Sequence, residues 1–165
     1  MKIVVTADTH ISNKGKQLPT CLLNECRTAD LIIHAGDWKS LEVYNTLSSY
    51  GEVKGVYGNV DKDAVKEFFP LQQVVEVNGY KIGIVHGHGD KKTTEKQALA
   101  AFYDKEVDVI VFGHSHIPLI RYFKHVLLIN PGSPTDKRKL PYYSYGILEM
   151  EERIRAEIVF FDGRS

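Results

Sequence analysis

Short apolar runs alternate with helix-period stretches through the first two-thirds of the chain. Ile3-Val4-Val5 is β-branched, bounded by polar residues and too short for a helix, which predicts a buried strand. Pro19 then opens a helix in which Leu18, Leu22 and Cys26 recur at helical spacing. Leu31-Ile32-Ile33 predicts a second buried strand, followed by a helix from near Ser40 with Leu41, Tyr44 and Leu47 on one face. Val53 to Tyr57 predicts a third strand, and a short helix over Asp63 to Phe69 should stop at Pro70.

The middle changes character. Val74 to Val85 predicts a hairpin with Asn78-Gly79 as its two-residue turn. A helix from Thr93 to Lys105 follows, with Thr94 and Gln97 at capping-box spacing, and then a buried strand over Val107 to Phe112. Beyond it the pattern is strand after strand: Ile120 to Phe123, Val126 to Ile129, Tyr143 to Glu149 and Arg153 to Phe161. The expected fold is therefore α/β in front and β-rich behind, most simply two sheets packed together with helices outside. No repeat, linker or break in composition divides the 165 residues, so one domain over 1–165 is expected.

Composition narrows the class without naming it. With 43% apolar and 25% charged residues, a disordered or low-complexity chain is excluded. Lys+Arg and Asp+Glu are both 21, which disfavours a strongly basic nucleic-acid binder. Cys21 and Cys26 have neither redox nor zinc-knuckle spacing and are expected as reduced thiols. The first apolar stretch is short and ends at Asp8, unlike a signal peptide or a membrane span, so a cytoplasmic protein is expected.

The chemistry lies in the polar residues that end the buried strands. In order they are Asp8-Thr9-His10, His34-Ala35-Gly36-Asp37, Gly58-Asn59-Val60-Asp61, His86-Gly87-His88 and Gly113-His114-Ser115-His116. Ligands of open α/β sheets collect beyond the carboxyl ends of strands, so these clusters are expected to converge on one crevice. In extended chain, residues two apart share a face, which would point Asp8 with His10 and His114 with His116 the same way. Carboxylate, imidazole and one amide oxygen form a ligand set for first-row divalent metals. They exceed the needs of one ion, whereas two ions sharing a bridging carboxylate would use them all.

Asp8-x-His10, Gly36-Asp37, Gly58-Asn59-x-Asp61, His86 and Gly113-His114-x-His116 resemble, in order, the motifs of the calcineurin-like metallophosphoesterases. With Asn130-Pro131-Gly132-Ser133 near the end, the chain is most similar to the small bacterial and archaeal phosphodiesterase branch. The resemblance implies a four-layer αββα sandwich of two mixed sheets flanked by helices. It also implies metal ligands: Asp8, His10 and His116 for one ion, Asn59, His86 and His114 for the other, and Asp37 as bridge. It implies two divalent cations, manganese first, with iron, zinc, nickel or cobalt as alternatives. The expected reaction is hydrolysis of a small phosphodiester by a water activated between them. Nucleic acid is a less favoured partner, no membrane is expected, and self-association stays open.

Two rival readings remain at this stage: a catalytically silent interaction scaffold, as in the retromer subunit that shares the fold, and a small metal-dependent nuclease. Val60 departs from the larger members, which carry a histidine there, so the general acid is unassigned. His88 is expected to support the site or face substrate, His34 to be a satisfied buried histidine, and His125 to lie in a surface turn. Asp61 either orients a neighbouring ligand or caps the next helix. Arg138, in the Lys137-Arg138-Lys139 run, is either solvated or reaches an anionic substrate.

Overall fold

A computed structural model describes residues 1–12 and 15–163. Among them, ten strands form two five-stranded mixed sheets. The first holds β1 (Lys2–Thr6), β2 (Leu31–His34), β3 (Val53–Gly55), β9 (Tyr143–Met150) and β10 (Ile154–Phe161) in the order β10-β9-β1-β2-β3. The second holds β4 (Gln72–Val77), β5 (Tyr80–Val85), β6 (Val109–Val111), β7 (Leu119–Phe123) and β8 (Val126–Asn130) in the order β4-β5-β6-β8-β7. In the first sheet the parallel strands β1-β2-β3 run out to one edge and antiparallel β9 and β10 complete the other side; in the second, parallel β5-β6-β8 lie between antiparallel β4 and β7.

Side-chain alternation decides how the layers stack. Ile3 and Val5 of β1 join Leu31, Ile33, Ile82, Ile84, Val109, Val111, Leu127 and Ile129 in the buried layer between the sheets. The intervening Val4 and Ile32 face outward onto α1 (Thr20–Cys26) and α2 (Leu41–Ser48), where Leu22, Cys26, Val43 and Leu47 cover them. Val65 of α3 (Asp63–Phe68) joins this outer layer. On the far side, Ile110 and Leu128 pack under α4 (Thr94–Ala101) through Ala98, with Phe102 just beyond its end. Both strand faces are thus buried, which is why the central strands read as unbroken apolar runs. The arrangement is the expected sandwich of two sheets between helices.

Several elements differ from expectation for local reasons. β3 stops at Gly55 because the Tyr57 N–H leaves the ladder for the Pro70 carbonyl at 3.0 Å. Thr93, and not Thr94, caps α4: its hydroxyl accepts from the Lys96 N–H at 3.4 Å. Gln97 lies one residue past the capping-box position and packs over Gly89. The hairpin turn is as read, with Asn78 (φ +51°) and Gly79 (φ +84°) both left-handed.

Trp38 locks the outer layer to the loop that follows β2. Its ring stacks on His34 at 3.6 Å and on Phe69 at 4.5 Å, and its indole N–H donates to the Val56 carbonyl at 2.8 Å. Gly55 lies against it: a Cβ there would come within 2.5 Å of the indole and 2.9 Å of the His34 carbonyl oxygen. Gly55→Ala is therefore expected to destabilise the protein by about 1–3 kcal/mol, the usual cost of overpacking a core. Urea denaturation followed by Trp38 fluorescence checks this, and an unchanged midpoint would refute the contact.

Candidate metal centre

The carboxyl ends of β1, β2, β3, β5 and β6 deliver the polar clusters to one end of the sandwich. Backbone bonds continue past the strands and hold the loops together: Asp8 N–H to the Gly36 carbonyl (2.9 Å), His10 N–H to the Asp37 carbonyl (3.0 Å) and Gly113 N–H to the His86 carbonyl (3.1 Å). Two groups of side chains that could hold a metal ion result, Asp8 with His10 and His116, and Asp37 with His86 and His114, the donor atoms of each lying within 4.8 Å of one another. The groups adjoin. Asp37 Oδ2 lies 3.5 Å from His10 Nε2 and 3.2 Å from His86 Nε2, while Asp8 Oδ1 lies 3.6 Å from His116 Nε2 and 3.9 Å from His86 Nε2.

Extended chain does not produce this convergence. Asp8, His10, Asp37, His114 and His116 all have positive φ, between +47° and +67°. Left-handed backbone costs a non-glycine residue about 1–2 kcal/mol, so surrounding structure must hold each in place. Moreover, His114 and His116 enter different groups instead of pointing the same way.

That surrounding structure can be named. Asp61 Oδ2 accepts from the Asp37 N–H (3.0 Å) and the Gly58 N–H (2.8 Å), and its Oδ1 accepts from the Lys39 N–H (2.7 Å). Asp61 is thus a clamp on the Asp37 loop, whereas Lys62 takes the N-cap position of α3. Gly58 is needed there because a Cβ would fall 2.1 Å from Asp37 Oδ1. Ser133 Oγ donates to the Asp8 carbonyl (2.8 Å) and Thr135 Oγ1 to the Thr9 carbonyl (2.5 Å). Asn130 donates to the Gly113 carbonyl (2.9 Å). Only the turn character of 130–133 was visible in the sequence; its tie to Asp8 depends on a contact 125 residues away.

Tautomers follow from the same network. His86 Nδ1 donates to the Ala35 carbonyl (2.7 Å) and His116 Nδ1 to the Asp136 carbonyl (2.5 Å), which turns both Nε2 atoms toward the carboxylates. His86 Nε2 has no hydrogen-bond partner among the described residues, whereas His116 Nε2 lies 3.2 Å from His10 Nε2 and 3.4 Å from Arg138 Nη2. His34 is wholly buried: its Nδ1 accepts from the Gly36 N–H (3.2 Å) and its Nε2 donates to Thr9 Oγ1 (3.1 Å). His125 lies in the exposed β7–β8 turn. The His88 ring sits 5.5 Å from that of His86, with Nδ1 buried and unpartnered.

Asn59 is the exception among the candidates. It is exposed in the turn after β3 and makes no side-chain hydrogen bond to the described residues. Its chain neighbours nevertheless touch the centre, since the Val60 N–H donates to Asp37 Oδ1 at 3.1 Å.

Electrostatics make the centre a place for cations. Both Asp8 oxygens and His86 Nε2 are buried without a hydrogen-bond partner. Burial pushes the Asp8 carboxyl up to about 7, against the pull of His86 and with the charge of Asp37 adding to the rise. Burial acts upward on Asp37 too, but His86, the Val60 amide and His10 outweigh it and hold this carboxyl at about 2. His10 falls to about 4, chiefly through burial, with His116 and the Lys39 ammonium acting the same way against Asp37 and Asp136. His114 and His116 are also lowered, first by burial. His86 goes the other way: burial acts downward on it, but the contact with Asp37 and the charges of Asp8 and Asp37 outweigh burial and raise it. Imidazoles and bare carboxylate oxygens in one buried cluster are a donor set for divalent cations, and the unpartnered Asp8 oxygens fit that use.

The calcineurin-like phosphoesterase superfamily domain matches residues 1–153. The chain belongs to this superfamily. A probable metallophosphoesterase of Methanocaldococcus jannaschii is 34% identical over 160 residues, covering 96% of this chain and 81% of that protein. A phosphodiesterase of the same archaeon is 28% identical over 172 residues, covering 96% and 99%. The Vps29 structure from Chaetomium thermophilum superposes with a TM-score of 0.79 over 98% of both chains at 21% identity, a likeness of fold. No helix among the described residues is long and apolar enough to cross a membrane. The calcineurin-like phosphoesterase centre thus has two candidate metal sites, one per group.

The Asp61 clamp has a measurable consequence. Asp61→Ala strips the acceptor from three amide donors, two of them buried, and is expected to cost about 2–4 kcal/mol of stability. Thermal denaturation in chelator checks this, and a loss below about 0.5 kcal/mol would show that the loop does not depend on the clamp.

Proposed function

We propose that the protein is a metal-dependent phosphodiesterase holding two divalent ions, manganese first. Asp8, His10 and His116 hold one ion and Asn59, His86 and His114 the other, with Asp37 between them. The observation that carries this reading is the pair of buried, unpartnered Asp8 oxygens beside the unpartnered Nε2 of His86 in a phosphoesterase-family chain. When bound, such ions activate water for attack on phosphorus in line with the leaving oxygen and neutralise the phosphoryl oxygens.

The chain's own residues do the rest. The Ala35 and Asp136 carbonyls hold His86 and His116 in the ligating tautomer. Asp37, the carboxylate that stays charged, reaches both groups through Oδ2 while the Val60 amide fixes its other oxygen. Arg138 Nη2 lies 3.4 Å from His116 Nε2 on the open side, where a guanidinium is suited to a non-bridging phosphoryl oxygen. Val60 has no proton to give, and a nitrophenolate leaving group needs none. An intact donor cluster weighs against the silent-scaffold reading. Zero formal charge weighs against the nuclease.

Hydrolysis of bis-p-nitrophenyl phosphate with added manganese is the direct test. Asp37→Ala and His86→Ala are each expected to lower kcat/KM by about 100-fold or more, since even changes behind the ligands cost 10–100-fold. Wild type inactive across Mn, Ni, Co, Zn and Fe would sink the proposal.

Metal binding should also depend on pH in a definite direction. Asp8 holds its proton below about 7 in the metal-free protein, and a cation must displace it. Affinity is therefore expected to weaken by about tenfold for each pH unit below 7 and to level off above it. Calorimetric titration with manganese in two buffers of different ionisation enthalpy reads the released proton. No proton release at pH 6 would count against Asp8 as a ligand.

A further inference from the structure

A cavity of about 700 Å³ is lined by Ser12, Lys39, Ser40, Leu41, Val60, Lys62, Ala64 and Val65. The loops that supply candidate ligands also wall it. Ser12 follows His10 by two residues, Lys39 follows Asp37 by two, and Val60 follows Asn59 directly. Its charge is one-sided, for Lys39 and Lys62 line it without an acidic side chain. Among the described residues neither lysine forms an ion pair.

At Lys39 and Val60, backbone and side chain serve different ends. The Lys39 amide is bound to Asp61 and the Val60 amide to Asp37, so both backbones belong to the scaffold of the centre. Their side chains line the cavity. Leu41, Val60, Ala64 and Val65 give it an apolar surface, and the exposed Lys39 and Lys62 give its rim positive charge.

We infer that this cavity binds one arm of the phosphodiester, and that this arm carries a second anionic group, a phosphate or a carboxylate, held by Lys39 and Lys62. The inference rests on the phosphodiesterase reading and narrows its substrate class to doubly anionic esters. Apolar walls take the body of the arm, and the two lysines take its charge as mobile point charges without the geometric demand of an arginine fork.

Two chromogenic substrates that differ only in the second charge test it: thymidine 5′-(p-nitrophenyl phosphate) with and without a 3′-phosphate. The wild-type protein is expected to favour the 3′-phosphorylated ester by about tenfold or more in kcat/KM. In Lys39→Gln and Lys62→Gln that preference should fall several-fold, and in the double variant it should disappear. The ratio is the readout, because any loss common to both substrates, including a disturbed Asp37 loop, cancels in it. A wild-type protein that hydrolyses both esters without preference, or a preference that the double variant keeps, overturns the inference and leaves the phosphodiesterase reading standing. Hydrolysis of neither ester with any of the five metals overturns both.

Discussion

Asp8 sits with both carboxylate oxygens buried and no hydrogen-bond partner, and Asp37 Oδ2 lies within 3.5 Å of two imidazole nitrogens. An ionised carboxylate removed from water costs several kcal/mol unless something positive faces it: His86, raised through Asp37 and Asp8 against its own burial, answers the Asp37 charge, whereas burial lowers His10, His114 and His116. The cost is therefore met in two ways: Asp8 keeps a proton up to about 7, or a cation takes the proton's place. The other supports of the centre follow from that constraint. Asp61, Ser133, Thr135 and Asn130 are spent on backbone amides, carbonyls and neighbouring loops, which leaves the Asp8 oxygens and His86 Nε2 without partners among the described residues.

The strain fits the same account. Five ligand candidates occupy left-handed backbone, which folding would avoid if the only need were a compact sandwich. Left-handed residues turn the chain sharply, so the loops after β1, β2 and β6 fold back over the strand ends. The sheets can tolerate this because their cores are continuous: with Ile3, Val5, Ile33, Ile82, Val109 and Ile129 fully buried, each contributes roughly 1.5–3 kcal/mol. Strain at five such residues, roughly 5–10 kcal/mol together, is below that sum but takes up a large share of it, so the loops also need the bonds from Asp61, Ser133 and Thr135 that hold them.

The order of strands and the residues at their ends were legible in the sequence because both follow short-range rules. β-branched runs such as Ile3-Val4-Val5 fix strands, Asn78-Gly79 fixes a turn, and polar residues after buried strands mark the crevice. What stayed hidden depends on distant partners. Thr93 looks no better a cap than Thr94 until the helix axis is known, and Asp61 reads equally well as a cap or a clamp until the Asp37 loop lies beside it. The shared face supposed for His114 and His116 failed because alternation holds only within a strand, and β6 ends at Val111. Trp38, the only tryptophan, gave no sign of its place between His34 and Phe69.

One consequence concerns how such a site can change. Wherever a loop residue holds the centre through its amide and lines the cavity through its side chain, the chemistry and the substrate are under separate control. Lys39 and Val60 are of this kind, and the charge or bulk they present can vary while Asp61 and Asp37 keep their bonds to the backbone. His86 has no such freedom: its Nδ1 is committed to Ala35, its Nε2 faces both carboxylates, and a Cβ on Gly36 would strike its ring at 2.7 Å. On the proposed reading, selectivity for the ester would lie in side chains that packing leaves free. Placement of the ligands is written in backbone contacts that few substitutions can preserve. A histidine in place of Val60 would keep the amide bond to Asp37 and add a proton donor to the cavity wall, so on the proposed reading the departure from the larger family members would bear on which leaving groups suit the site and not on how the metals would be held.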